Sequence, residues 1–214
     1  MTFNYPAYLE VKNYIKKHAT NSVKIIAVSK NHSENSIKTA ISYGIKIFGE
    51  NRVQEAICKF SSIKMQFPNI ELHLIGPLQT NKVKQALGIF DVFQTLDREK
   101  LANEFYKNKN IIINKRFFIQ VNIGQETNKS GIMPAEATNF INYCLYDLNI
   151  PVVGLMCIPP QNENPIIFFE KLKKIAINNK LKNLSMGMSD DYKGAILSGA
   201  NNIRIGTKFF GQRL

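Results

Sequence analysis

The sequence lacks the features that mark a membrane protein or a disulfide-stabilised secreted protein. It has no run of about 18 apolar residues that could form a membrane-spanning helix. The amino-terminal segment also lacks the uninterrupted apolar core and small-residue cleavage site of a signal peptide. The three cysteines, Cys58, Cys144 and Cys157, are far apart and form no CxxC motif. We therefore expect a cytoplasmic protein with free thiols, no disulfide frame and no metal site.

Acidic residues are scarce, because 16 Asp and Glu oppose 28 Lys and Arg, which gives a formal net charge of +12 at pH 7. An excess of positive charge of this size can favour binding to nucleic acid. The lysines, however, are scattered through the chain, and no run of five or more occurs. Lys, Asn and Ile are abundant throughout, which indicates a general compositional bias. We therefore predict a protein that binds no nucleic acid.

Eight apolar segments alternate with segments of helical periodicity along the 214 residues. The predicted strands are 24–30, 45–51, 71–76, 91–96, 116–123, 152–158, 184–188 and 202–206, and a helix over 5–19 precedes them. We also predict that Asp97 caps the helix after the fourth strand, that the helix after the fifth strand starts at Pro134, and that the eighth strand runs on towards Phe210. This count favours an α/β fold made of one closed (β/α)₈ barrel of the TIM type, with an extra N-terminal helix and a single domain over 1–214. An open doubly wound sheet has the same alternation and remains the alternative.

Lys30 follows the apolar run from Ile25 to Val28, which is typical of a buried parallel strand. The carboxyl end of such a strand is where α/β barrels and open α/β sheets hold ligands. We therefore interpret Lys30 as a binding-site residue, with a solvated lysine at a strand end as the alternative.

Two later segments have the composition of an anion site. In the segment from Met186 to Asp191, a strand end runs directly into a helix, where Ser189 offers a hydroxyl and the helix start offers free N–H groups. After Arg204, Gly206 allows backbone N–H groups to approach a ligand closely. Loops after the seventh and eighth barrel strands often hold phosphate. An ordinary helix cap is the alternative for the first segment.

An amine, an anion site and a guanidinium on one rim indicate a phosphorylated ligand with an aldehyde or ketone group, because a lysine amine can form a Schiff base. Pyridoxal 5′-phosphate carries both groups and a ring nitrogen that Arg or Asp typically addresses. Arg204 in the same mouth would favour the neutral amine of Lys30, which is the form that attacks an aldehyde.

Seven segments in order across nearly the whole chain resemble those of the pyridoxal phosphate homeostasis protein family, which is itself similar to the N-terminal domain of alanine racemase. They are AVSK (27–30), FGENRVQE (48–55), HLIGPLQTNK (73–82), NKSGI (128–132), GLMCIPP (154–160), LSMGMSDD (184–191) and IRIGTKFFG (203–211).

The resemblance implies a role for each cofactor-binding residue. Lys30 would form the Schiff base, and Arg204 would face the pyridine nitrogen. The phosphate would be held by Ser189, Gly206 and Thr207, the ring would lie beside Asn51, and the pocket would be lined by Met186 and His73. The connection after Pro160 is shorter than in the family, which leaves the role of that loop open.

The resemblance also bears on catalysis. Alanine racemases add a second, β-rich domain that supplies a catalytic tyrosine, whereas this chain ends with its barrel. Racemisation needs two bases, and Lys30 is the only credible one. A guanidinium at the ring nitrogen would weaken the ring as an electron sink. We therefore predict a monomeric, non-enzymatic protein that stores, buffers or delivers pyridoxal phosphate, with pyridoxal phosphate-dependent apo-enzymes as candidate recipients. A weak amino-acid racemase or another Schiff-base enzyme is the alternative.

Overall fold

The computed structural model describes residues 3–212 and forms a closed barrel of eight parallel strands in sequence order. The strands are β1 (Lys24–Val28), β2 (Ile47–Glu50), β3 (Glu71–Leu74), β4 (Val92–Leu96), β5 (Arg116–Gln120), β6 (Val152–Met156), β7 (Asn183–Ser185) and β8 (Asn202–Ile205). Since β1 pairs with both β2 and β8, the sheet has no free edge. The predicted barrel is confirmed and the open sheet is wrong.

Helices connect consecutive strands and surround the barrel. They are α1 (Tyr5–His18), α2 (Glu34–Ser42), α3 (Val53–Gln66), α4 (Val83–Ile89), α5 (Glu99–Tyr106), α6 (Lys109–Ile112), α7 (Ala137–Asn142), α8 (Pro165–Asn178), α9 (Tyr192–Leu197) and α10 (Thr207–Phe210). A 3₁₀ turn (Thr80–Lys82) precedes α4, and a π turn (Tyr143–Asp147) follows α7. The predicted N-terminal helix α1 packs against α9 and α10. Within residues 3–212, no helix is both long and apolar enough to cross a bilayer.

Some predicted boundaries differ from the structure for local reasons. The helix expected after Asp97 begins instead at Glu99, because the Asp97 carboxylate accepts a hydrogen bond from the Arg98 side chain and caps no helix. Pro134 starts a turn, in which Ala137 donates its N–H to the Pro134 carbonyl, and α7 begins only there. The chain after Gly206 turns into α10 and does not extend β8.

The main hydrophobic core lies between the sheet and the surrounding helices. A smaller apolar cluster of Val92, Phe118 and Met156 fills part of the barrel interior. Polar side chains on β3, β4, β7 and β8 fill much of the remainder, since hydrogen bonds join His73 to Gln94 and Gln94 to Ser185. Because β4 and β7 are not neighbours in the sheet, the bond between Gln94 and Ser185 must cross the interior. The inside of this barrel is therefore partly polar.

Candidate cofactor site at the carboxyl ends of the strands

Lys30 lies in a turn two residues after β1 and is partly buried. A second lysine from α3 fixes this turn, since the Nζ of Lys59 donates to the carbonyl oxygens of Ser29 at 2.8 Å and His32 at 3.4 Å. The Ser29 hydroxyl donates to Glu50 Oε1 at 2.7 Å. The backbone on both sides of Lys30 is thus held to α3 and β2.

The lysine that fixes the turn is itself neutralised by two carboxylates. Nζ of Lys59 lies 2.6 Å from Glu50 Oε1 and 2.8 Å from Glu55 Oε1, and Asn31 donates its backbone N–H to the same Glu55 oxygen at 2.5 Å. Burial raises the pKa of the fully buried Glu50, and the ion pair and hydrogen bond from Lys59 oppose that rise. This cluster of Lys59, Glu50 and Glu55 links the turn that carries Lys30 to the helix layer.

The loops after β7 and β8 meet as the sequence predicts. The Ser189 hydroxyl oxygen accepts the backbone N–H groups of Gly206 at 3.3 Å and Lys208 at 3.4 Å. Asp191 supports the first loop by accepting the N–H of Met188 at 2.5 Å. Ser189 and Gly206 therefore lie together, and the next residue, Thr207, is exposed at the surface.

The turn of Lys30 adjoins these loops. In the β1–β8 pair Ala27 lies opposite Ile205, and a side-chain carbon added to Gly206 would meet Val28 Cβ at 3.4 Å. The ring of His32 stacks on that of Phe210 at a centroid distance of 5.0 Å. The amine-bearing turn and the segment predicted to bind phosphate are thus neighbours on one rim.

Arg204 on β8 is a buried cation whose hydrogen-bond partners are neutral. Its Nη1 donates to Ser185 Oγ at 2.7 Å and its Nη2 to the Cys157 carbonyl at 2.8 Å. Burial lowers the pKa of Arg204, and among residues 3–212 no carboxylate forms a salt bridge with it. The charge of Asp191 acts on Arg204 from beyond salt-bridge distance. Desolvating a charge without a directly paired counter-ion is costly, so this position favours a ligand that supplies an acceptor.

The remaining predicted residues occupy different depths. Asn51 follows β2, and its Oδ1 is buried with no hydrogen-bond partner within residues 3–212. It borders a cleft of about 300 Å³ together with Gly76, and Lys30, Ser189 and Arg204 do not line that cleft. Met186 is fully buried in the main core. His73 is buried in the barrel interior, where its ring contacts Glu71 and Gln94.

Sequence reasoning missed Lys59, Gln94 and Ser185, which support the rim from below. Gln94 and Ser185 are fully buried polar residues of β4 and β7, and a polar residue at an inward strand position is the signal that could have identified them. Lys59 gave no such signal, since a lysine on an amphipathic helix is usually solvated.

Comparison with known proteins shows the family of this chain. Residues 11–213 match the family model described as alanine racemase, N-terminal domain. A pyridoxal phosphate homeostasis protein of Aquifex aeolicus is 40% identical over 204 residues, which cover 90% of this chain and 88% of that protein. This chain belongs to the pyridoxal phosphate homeostasis protein family. The resemblance seen in the seven sequence segments is thereby confirmed.

Two kinds of solved structure are similar to this chain. PipY of Synechococcus elongatus PCC7942, solved with PLP bound, is 31% identical with a TM-score of 0.82, and the match covers 94% of this chain and 99% of PipY. An alanine racemase of Acinetobacter baumannii has a TM-score of 0.73 at 17% identity, covering 97% of this chain and 61% of that enzyme. The second likeness shows a shared barrel fold.

Proposed function

We propose that this protein binds pyridoxal 5′-phosphate on the rim formed by β1, β7 and β8, and that it stores, buffers and delivers the cofactor inside the cell. The supporting observation is Arg204 at the mouth of the barrel, a buried guanidinium whose hydrogen-bond partners in the described part of the chain are a hydroxyl and a carbonyl. The relatives named as pyridoxal phosphate homeostasis proteins and the PLP-bound PipY support the same ligand.

The residues present fit this cofactor group by group. Lys30 would hold the aldehyde, and Ser189 with Gly206 and Thr207 would hold the phosphate, where a hydroxyl and backbone N–H groups converge. Arg204 would donate to the ring nitrogen. The unpartnered Oδ1 of Asn51 would accept from a ligand on the β2 side of the rim. In this proposal Met186 and His73 support the pocket from the buried layers beneath it.

The proposed protein is not a catalyst. Pyridoxal phosphate, when bound, supplies an aldehyde that joins an amine and a ring that can accept electrons. A guanidinium donates a hydrogen bond but keeps its proton, so Arg204 would leave the ring nitrogen unprotonated. Cys157, whose carbonyl bonds Arg204, offers no second base, because burial raises the pKa of its thiol to about 12. We place the protein in the cytoplasm as a monomer that passes the cofactor to apo-enzymes.

Attachment to Lys30 can be tested by absorption and mass spectrometry. Protein incubated with pyridoxal phosphate should show an imine absorption band that disappears on borohydride reduction and leaves a stable mass adduct on Lys30. Lys30→Ala should show neither, whereas Lys46→Ala, an exposed lysine just before β2, should behave as wild type. A band that persists in Lys30→Ala would refute the assignment.

The absence of catalysis needs a separate assay. The loaded protein incubated with L-alanine or L-serine should leave the amino acid chirally pure and unconsumed. Turnover that disappears together with Lys30 would show that the protein is an enzyme and would overturn this part of the proposal.

A further inference from the structure

Arg204 is one end of a continuous line of hydrogen bonds through the barrel. Its Nη1 donates to Ser185 Oγ at 2.7 Å, and that hydroxyl donates to Gln94 Oε1 at 2.6 Å. Gln94 Nε2 lies 2.8 Å from His73 Nδ1, and His73 Nε2 lies 2.7 Å from Glu71 Oε1. We call these five residues the interior line. It runs from the cofactor rim to the opposite end of the barrel.

The end of the interior line opposite Arg204 is fixed by ion pairs of Glu71. Glu71 begins β3, and its carboxylate pairs with Arg116 at 2.6 Å and with Lys24 at 3.5 Å, residues that begin β5 and β1. Burial alone would raise the pKa of Glu71, but the hydrogen bonds from His73 and Arg116 and the charge of Arg116 outweigh it and lower that pKa well below its usual range. Glu71 is therefore an anion that can only accept.

Because Glu71 can only accept hydrogen bonds, it determines which atom is the donor in every hydrogen bond of the interior line. His73 must carry its proton on Nε2, and since burial lowers its pKa the ring is neutral and its Nδ1 accepts. Gln94 then directs its amide NH₂ to His73 and its oxygen to the Ser185 hydroxyl. The lone pairs of that hydroxyl are left to face Arg204. This is the orientation in which each of the four bonds has one donor and one acceptor.

We propose that Ser185, Gln94 and His73 are positioning residues that hold the Arg204 guanidinium at the cofactor's ring nitrogen, with Glu71 as the anchor. The role toward the cofactor rests on the proposed function. All three are almost fully buried, and no carboxylate of residues 3–212 forms a salt bridge with Arg204. Apart from the Cys157 carbonyl, the interior line is what fixes the direction of its N–H groups. His73 would thus act on Arg204 through three hydrogen bonds, without lining the cofactor pocket.

The arrangement can be tested first without cofactor, by nitrogen-15 NMR of the histidine ring and the arginine side chain. In wild-type protein His73 should be the neutral tautomer with its proton on Nε2. Gln94→Glu keeps the shape but places an anion at Nδ1, so His73 should become doubly protonated at neutral pH. Gln94→Leu should shift the Arg204 guanidinium signals and speed their hydrogen exchange. A wild-type ring protonated on Nδ1 would overturn the proposal.

The second arm measures the cofactor. Gln94→Leu removes the acceptor that orients the Ser185 hydroxyl. It should weaken pyridoxal phosphate binding by up to about tenfold, the size of a lost hydrogen bond between neutral groups, and should shift the absorption maximum of the bound cofactor. Phe118→Leu is the matched control, because Phe118 lies in the same barrel interior but outside the interior line. It should lower stability while leaving affinity and spectrum unchanged.

The outcomes separate the two proposals. If Gln94→Leu and Phe118→Leu change affinity and spectrum alike, the interior line has only a structural role and the inference is wrong. If wild-type protein takes up no pyridoxal phosphate, the proposed function fails, and the Arg204 and His73 signals still decide whether the line positions the guanidinium. If Gln94→Leu does not fold, Gln94→Glu can be used for both the NMR and the cofactor measurements. The doubly protonated His73 ring in that variant should alter the spectrum of the bound cofactor, and an unchanged spectrum would refute the inference.

Discussion

Replacing Lys59 by Met should remove the cation at the centre of a buried cluster. Lys59 Nζ contacts Glu50, Glu55 and the carbonyl oxygens of Ser29 and His32 within 2.6–3.4 Å. Met has a similar length but no charge, so the fully buried Glu50 would lose its counter-ion. Breaking a buried ion pair by removing one partner costs about 3–5 kcal/mol. At about 2–4 °C per kcal/mol for a chain of this size, the melting temperature should fall by about 10 °C.

The pH dependence of the stability of Lys59→Met tests the role of Glu50 more specifically than the fall in melting temperature does. The pKa of Glu50 already lies above 4.5 because of burial, and the contacts with Lys59 oppose that rise, so the substitution should raise it further. Between the unfolded value and the raised folded value the folded state binds more protons, and stability falls as pH increases. The loss caused by Lys59→Met should therefore be smaller at pH 5 than at pH 8. Adding Glu50→Gln, which stays neutral and still accepts from Ser29, should restore much of the loss at pH 8.

Denaturant unfolding at the two pH values measures these free energies. Lys64→Met is the matched control on the same helix, because Lys64 pairs with Asp91 in a more exposed setting and should cost about 1 kcal/mol or less. If Lys59→Met costs no more than Lys64→Met, or costs the same at both pH values, then Glu50 is not the buried anion that depends on Lys59.

Two other predictions concern thiols and glycines. Cys58 is exposed, whereas burial raises the pKa of both Cys144 and Cys157 to about 12, so a thiol reagent at pH 8 should label one cysteine per native chain and three after unfolding; fast labelling of two or more would contradict this. Gly76→Ala should destabilise the protein by about 1–3 kcal/mol, because the added carbon would clash with the backbone oxygen of Asn51, directly after β2. Gly88→Ala in α4, where the added carbon meets nothing within 4 Å, should stabilise the protein by up to about 1 kcal/mol, and equal effects of the two substitutions in thermal unfolding would refute the packing argument.

The barrel could be predicted from the sequence because each strand carries a local signal. The run before Lys30 is apolar on both faces, as a strand covered by helices outside and side chains inside must be. Boundaries failed where tertiary contacts decided them. Asp is a residue type that often caps helices, but the Asp97 carboxylate accepts a hydrogen bond from the Arg98 side chain instead. The segment after Gly206 has strand-like residues, yet it forms α10, where Phe209 and Phe210 are fully buried.

The positions of Lys30, Ser189 and Gly206 at strand ends could be predicted from the sequence, whereas the residues that support them could not, and their role in binding stays a prediction. Lys30, Ser189 and Gly206 lie at strand ends and follow from the position of ligands in barrels. The function of Lys59 depends on the distance between α3 and the turn after β1, which no local pattern encodes. Gln94 and Ser185 are 91 positions apart in the chain, and only the closure of the sheet brings them into contact.

The charges inside the protein support a ligand at the mouth of the barrel. Lys59 is buried between two carboxylates, and Arg116 pairs with Glu71 at the opposite end of the barrel. Each of these cations has its anion in the chain. Within residues 3–212, Arg204 has a hydroxyl and a carbonyl as its hydrogen-bond partners and forms no salt bridge, and Asp191 acts on it only through its more distant charge. Burying a cation without a directly paired anion costs free energy, and a ligand that brings an acceptor would offset part of that cost.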